Sequence, residues 1–118
     1  MNMSTRILTA FAIAGLVSVG PSLGSIARAD DTADVYVKKC ATCHGRDGKG
    51  QTVMGKKLNI KDLTSPEVMS KVTDEQIEDQ IKNGVKDPAT GKDRMLSFKD
   101  KLTDEQIKAL TKYVRTLK

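Results

Sequence analysis

Both cysteines and the only histidine of this 118-residue chain stand inside five consecutive positions, Cys40-Ala41-Thr42-Cys43-His44. Cysteines this close in sequence cannot staple remote segments, so the fold must hold together without a long-range disulfide. The length has room for one domain. With 38% apolar and 30% charged residues, the composition is that of a globular chain rather than a disordered or membrane-spanning one.

The first 29 residues read differently from the rest. Arg6 precedes an uncharged run from Ile7 to Gly20, Pro21 breaks it, and Ala27-Arg28-Ala29 puts small residues at the two positions a signal peptidase reads. The run has 14 residues, short of the roughly 20 that a bilayer-spanning helix needs, and no cysteine follows it to carry a lipid anchor. Residues 1–29 are therefore expected to be a cleaved secretory signal, and residues 30–118 a periplasmic domain with no membrane span after cleavage. An uncleaved anchor is the alternative. Losing Arg6 and Arg28 lowers the 20 basic residues to 18, against 15 acidic, a net charge of +3. Scattered lysines without interleaved aromatics leave no footprint for nucleic acid; a mildly positive face suits an acidic protein partner.

The remaining 89 residues are short of core material. A domain of this size buries only about 60–65% of its unfolded surface, and its aromatic side chains are Tyr36, Phe98 and Tyr113. Small exported domains usually add disulfides, a metal or a cofactor. Here the middle of the fold calls for a bound group.

Apolar spacing predicts a helix over 32–43, capped by Asp31 or Thr32, with Ala33, Tyr36, Val37 and Cys40 on one face. Glycines at 45, 48, 50 and 55 make the next stretch a loop that turns sharply or passes close to something bulky. Ser65-Pro66-Glu67 opens a short helix to about Lys71, with proline where its missing N–H is harmless. The pentapeptide Thr-Asp-Glu-Gln-Ile occurs at 73–77 and again at 103–107. In each copy the threonine and the glutamine three places on form a capping box, so the repeat marks two helix starts rather than a duplicated domain. The first helix ends at Asn83-Gly84; the second runs from Asp104 to about Leu117, with Ile107, Leu110, Val114 and Leu117 on its apolar stripe. Residues 85–101 have turn residues and no helical period, and no period-2 strand stands out. The expected class is all-α with long functional loops.

Four chemistries suit Cys40 to His44. A local disulfide is the plainest, and a redox-active dithiol expects a βαβ surround that is missing. Zinc wants four ligands, and no cysteine or histidine exists outside the motif. Covalent haem attachment uses all three residues: each sulfur forms a thioether with a vinyl group, and the adjacent histidine meets the iron. The export signal, the aromatic-poor core and the glycine-rich loop agree with haem.

Tyr36 four residues before Cys40, the run CATCHG followed by GRDGKG, and Met95 ahead of Phe98 and LTDEQIKALTKYVRTL together resemble a class I monohaem c-type cytochrome of the small bacterial, cytochrome c6-like kind. The resemblance covers residues 33–118. It implies a cytochrome c fold of about four helices around one covalent haem c, with the first and last helices crossing. It also implies thioethers at Cys40 and Cys43 and axial iron ligation by His44.

Met54, Met69 and Met95 follow the signal, and Met95, 51 residues after His44 and just before the last helix, stands where the family's second axial ligand does. The family's proline after that methionine is replaced by Leu96, which leaves the loop softer. No proline follows His44 closely enough to suggest an acceptor for its second ring nitrogen. Haem propionate partners are expected among Arg46, Gln51, Arg94 and backbone N–H groups, with no choice between them. The implied function is one-electron transfer between redox proteins by a non-enzymatic monomer. Lys49, Lys56, Lys57, Lys86, Lys92 and Arg94 flank the two haem-contacting loops and are candidates for a ring that docks an acidic partner, ordinary solvated lysines being the alternative. The rivals are a five-coordinate haem protein with a peroxidase-like or gas-sensing role, and a haem subunit of a dehydrogenase or oxidase complex.

Overall fold

The computed structural model describes residues 14–18, 20 and 28–118. Apart from 14–18, 20, 28 and 29, the expected signal segment lies outside the described residues. In chain order the elements are α1 (Ala29–Lys39), α2 (Ala41–His44), α3 (Val53–Lys57), α4 (Pro66–Met69), α5 (Asp74–Asn83), β1 (Val85–Lys86), β2 (Asp93–Met95) and α6 (Asp104–Arg115).

Local chemistry explains most of the boundaries. Thr73 and Thr103 each accept from the backbone N–H of the glutamine three residues on, and each glutamine side chain accepts from the threonine N–H, closing both capping boxes. Ser65 caps α4, with Pro66 at its first position. The first helix departs from expectation at both ends. It starts at Ala29, with Arg28 as an N-cap that contributes no side-chain bond, and Thr32 lies inside it, buried, donating its hydroxyl to the Arg28 carbonyl. It stops at Lys39, because the chain turns at Cys40 and restarts as the four-residue α2.

Helix α6 packs against both α1 and α5. Tyr36 of α1 meets Tyr113 of α6 with ring centroids 5.1 Å apart and planes tilted by 47°, within the range aromatic pairs prefer. Around this crossing lie Ile77 and Ile81 from α5, Leu102, and Ile107, Leu110 and Val114 from α6. Leu110 is only 1% exposed.

Two elements escape the sequence reading. The end of the glycine loop expected over 45–55 is instead helical: α3 begins at Val53, capped by the Thr52 hydroxyl, and runs on to Lys57. Residues 85–95 form a small antiparallel hairpin in which Val85 pairs with Met95 and Lys86 with Asp93 across an irregular register. Two and three residues are too few for an alternation to register. The hairpin does not alter the helical class. Among the described residues no helix is long and apolar enough to cross a membrane.

Candidate functional site

The turn at Cys40 gathers the amides of the motif. The Cys40 carbonyl accepts from the N–H groups of both Cys43 (3.2 Å) and His44 (2.9 Å), and the Ala41 carbonyl accepts from Gly45. The carbonyls of Cys43, His44 and Gly45 are taken up by other segments. Thr52 Oγ1 donates to the Cys43 carbonyl at 2.8 Å, the Gly50 N–H to that of His44 at 2.7 Å, and the Tyr36 hydroxyl to that of Gly45 at 2.7 Å. These bonds leave the motif little backbone freedom. Gly55 of α3 presses on the same place, where a Cβ would overlap the Gly50 carbonyl and come within 2.6 Å of the Cys43 oxygen. The glycines of the loop thus allow α3 to lie directly against α2.

Cys40, Cys43 and His44 line one apolar cavity of about 620 Å³, enclosed by α1, α2, α3, the α4 region, α5, the hairpin and α6, a volume suited to a cofactor. Met54, Met69 and Met95 all line it too, as do Ile77, Ile81 and Phe98. Of the residues expected to meet propionates, Arg94 is in the wall, whereas Arg46 and Gln51 are not among the lining residues. Lys39, Lys61, Asn59 and Gln80 are further polar lining groups, and none of the four stood out in the sequence. Of the expected basic collar, Lys86 is engaged by Asp93 at 2.7 Å.

Electrostatics narrows the chemistries of the motif. Burial pushes the Cys40 thiol up to about 11, an effect to which Cys43 adds and which Lys39 partly offsets. A redox-active dithiol needs the opposite, a thiolate stabilised near neutral pH. Burial also holds His44 below its usual value, so the imidazole is neutral, the form that binds metal. Its Nδ1 is buried without a hydrogen-bond partner. Among the described residues nothing accepts from this nitrogen, so the acceptor that the sequence left unassigned is not found there. Among the described residues no group of three or more His, Cys, Asp or Glu side chains is arranged to hold a metal ion, which leaves zinc without a ligand set.

Tyr36 and Tyr113 pack together at the α1/α6 crossing. Tyr36 does more, since its ring lines the cavity and its hydroxyl holds the turn after His44. Tyrosine in place of phenylalanine was the available signal.

Residues 27–114 match the family described as cytochrome c oxidase, cbb3-type, subunit III. The chain belongs to this family and is a monohaem class I c-type cytochrome. It is 34% identical over 82 residues to cytochrome c-553 of Helicobacter pylori, covering 70% of this cytochrome and 74% of that protein. It is 36% identical over 98 residues to FixP, a cbb3-type cytochrome c oxidase subunit of Azorhizobium caulinodans, covering 83% of this chain but spanning only 30% of FixP. Among solved structures, the c-type cytochrome KustC0563 is 38% identical with a TM-score of 0.64, over 74% of this chain and 96% of that one. A mutant form of it gives 0.63 at the same identity, over 75% and 99%. The cofactor of this cytochrome is one covalent haem c with its iron. The cavity fits it: two free thiols, a half-buried neutral imidazole whose Nδ1 is buried without a partner, and thioether sulfurs line one apolar space.

Proposed function

We propose that this cytochrome is an exported one-electron carrier between redox proteins, with residues 1–29 removed as a signal and residues 30–118 as the working domain. The observation that carries the reading is that Cys40, Cys43, His44 and Met95 line a single apolar cavity although Met95 is 51 residues beyond His44 in the chain. In this reading Cys40 and Cys43 would hold the haem by thioethers, and His44 and Met95 would ligate its iron. Haem c supplies the one-electron couple of its iron. The protein supplies the ligands, keeps water away with Ile77, Ile81 and Phe98, and limits rearrangement through the rigid backbone around the motif.

Met95 is preferred to the other two methionines for its support. Met54 belongs to α3, which packs on α2, the element of His44. Met69 sits on the single turn α4. Met95 is carried by the hairpin, which is tied to the end of α5 rather than to α2: Ser97 Oγ donates to the Lys82 carbonyl at 2.6 Å, and the Phe98 N–H to that of Ile81 at 3.0 Å.

Of the lining residues Leu96 is 58% and Met54 37% exposed, with Lys39, Lys61 and Arg94 also in the wall. An apolar centre with a basic surround suits brief contact with an acidic redox protein. The test is spectroscopic. The ferric protein is expected to be low-spin with a far-red methionine-to-iron band, and Met95→Ala to lose that band and bind carbon monoxide when reduced. A wild-type protein that is high-spin and takes carbon monoxide readily would instead support the five-coordinate reading. N-terminal sequencing of exported protein is expected to begin at Asp30.

The likeness to FixP favours a second reading, a haem subunit held in an oxidase complex. Co-purification with membrane oxidase through 0.5 M salt would support it over the free carrier; a monomer after that wash supports the carrier.

A further inference from the structure

The strand bearing Met95 is fastened on two sides by unequal means. Toward α5 it has the pairing with Val85, the Ser97 and Phe98 bonds, a bond from the Lys99 N–H to the Lys82 carbonyl at 3.1 Å, and close contact at Gly84. Toward the haem-attachment side it has one. Arg94 Nη2 donates to the Leu58 carbonyl at 2.9 Å, and among the described residues this is the sole hydrogen bond between 93–99 and 40–63. Leu58 is the C-cap of α3, and α3 is locked to Cys43 through Thr52 and Gly55. A single guanidinium therefore links the wall that carries Met95 to the wall that carries His44.

We propose that Arg94 is a positioning residue for Met95: its clasp on Leu58 stiffens the ligand strand in place of the proline that Leu96 displaces. The inference rests on reading Met95 as the axial ligand. A planar donor that reaches a fixed backbone oxygen resists outward movement of β2, and the adjacent Met95 moves with that strand. Without the clasp the strand can swing about its α5 attachments and release the sulfur more often. A lost hydrogen bond to a charged donor raises such an opening equilibrium about three- to tenfold or more.

The experiment uses ferric holoprotein and imidazole as the probe, since imidazole reaches the iron only when the methionine leaves. Arg94→Ala is expected to keep its haem and its far-red band but to bind imidazole at least about threefold faster. Leu96→Pro in the same background is expected to slow binding again, a rescue that a change in surface charge alone would not produce. Hydrogen exchange is expected to quicken at residues 93–97 and to stay unchanged in α6. Imidazole binding at the wild-type rate in Arg94→Ala, or a uniform rise in exchange along the whole chain, overturns the proposal while leaving Met95 as ligand. A wild-type protein without the far-red band, whose spectrum Met95→Ala does not alter, overturns the ligation and the positioning role together.

Discussion

The Tyr36 hydroxyl donates to the Gly45 carbonyl at 2.7 Å, a bond from the buried face of α1 to the residue directly after the motif's histidine. Gly45 has φ of +81°, and its carbonyl also accepts from the Gly48 N–H at 3.1 Å. The tyrosine thus belongs at once to the α1/α6 crossing and to the support of His44.

Tyr36→Phe should keep the ring packing and lose only this bond. The expected loss is about 1–2 kcal/mol, measured by urea unfolding of the holoprotein. Burial raises the Tyr36 phenol well above the ordinary 10.0. The folded state therefore holds the proton more tightly than the unfolded one. The resulting stability is fully present below about pH 10 and declines as pH rises from there toward the folded value. The difference in stability between wild type and Tyr36→Phe should narrow above pH 10.

Gly84 has φ of +76°, and a Cβ there would stand 2.5 Å from the Met95 carbonyl and 2.9 Å from the Ser97 nitrogen. Gly84→Ala should push the strand of Met95 away from α5, at a cost of about 2–4 kcal/mol and, if Met95 is the iron ligand proposed above, with an effect on that ligation. The far-red band should weaken at temperatures where the α-helical circular dichroism is still intact. An unchanged band would mean that the strand is held elsewhere.

Arg115 joins the end of α6 to the segment between α4 and α5. Its guanidinium donates to Asp74 Oδ1 at 2.9 Å and to the carbonyls of Met69 and Val72 at 2.7 and 2.5 Å. Arg115→Ala should destabilise the fold by about 1–3 kcal/mol, and Arg115→Lys should recover only part of this because one ammonium cannot reproduce the fork. Thermal unfolding of the three proteins gives the comparison.

Asp87 organises the hairpin turn, its Oδ1 accepting from the N–H groups of Ala89 and Thr90, both at 2.9 Å. The Thr90 and then the Ala89 bond hold its carboxyl below the ordinary 3.8. The folded state therefore binds the proton less well than the unfolded one. The turn keeps its support above about pH 4 and loses it as pH falls through the depressed folded value. Exchange at the Ala89 and Thr90 amides, corrected for intrinsic rates, should quicken over that acid range, and Asp87→Asn should remove the pH dependence.

The helical frame was legible because its signals are local. Both capping boxes, the Ser65-Pro66 start and the Asn83-Gly84 stop act within a few residues, so the fold keeps them where the text puts them. The start of α1 was misread because Thr32 can bond either as a cap or back along a helix, and burial on α1 decided for the second. Helix α3 was hidden by Gly55, whose lack of a side chain signals a loop in sequence but serves close packing on Cys43 in the fold. The hairpin was too short for its pattern to register.

At the site, residue type and spacing alone brought Cys40, Cys43 and His44 together, since all three stand within about one turn of backbone, the four-residue α2 and its N-cap. That Arg94 rather than Arg46 or Gln51 reaches the cavity, that Tyr36 supports Gly45, and that His44 Nδ1 has no partner came only from the tertiary structure. Short-range chemistry lives in the order of residues. The bonds from Arg94 to Leu58 and from Arg115 to Met69 join atoms 36 and 46 residues apart, and only the packing of α5 and α6 around the cavity brings such partners within reach.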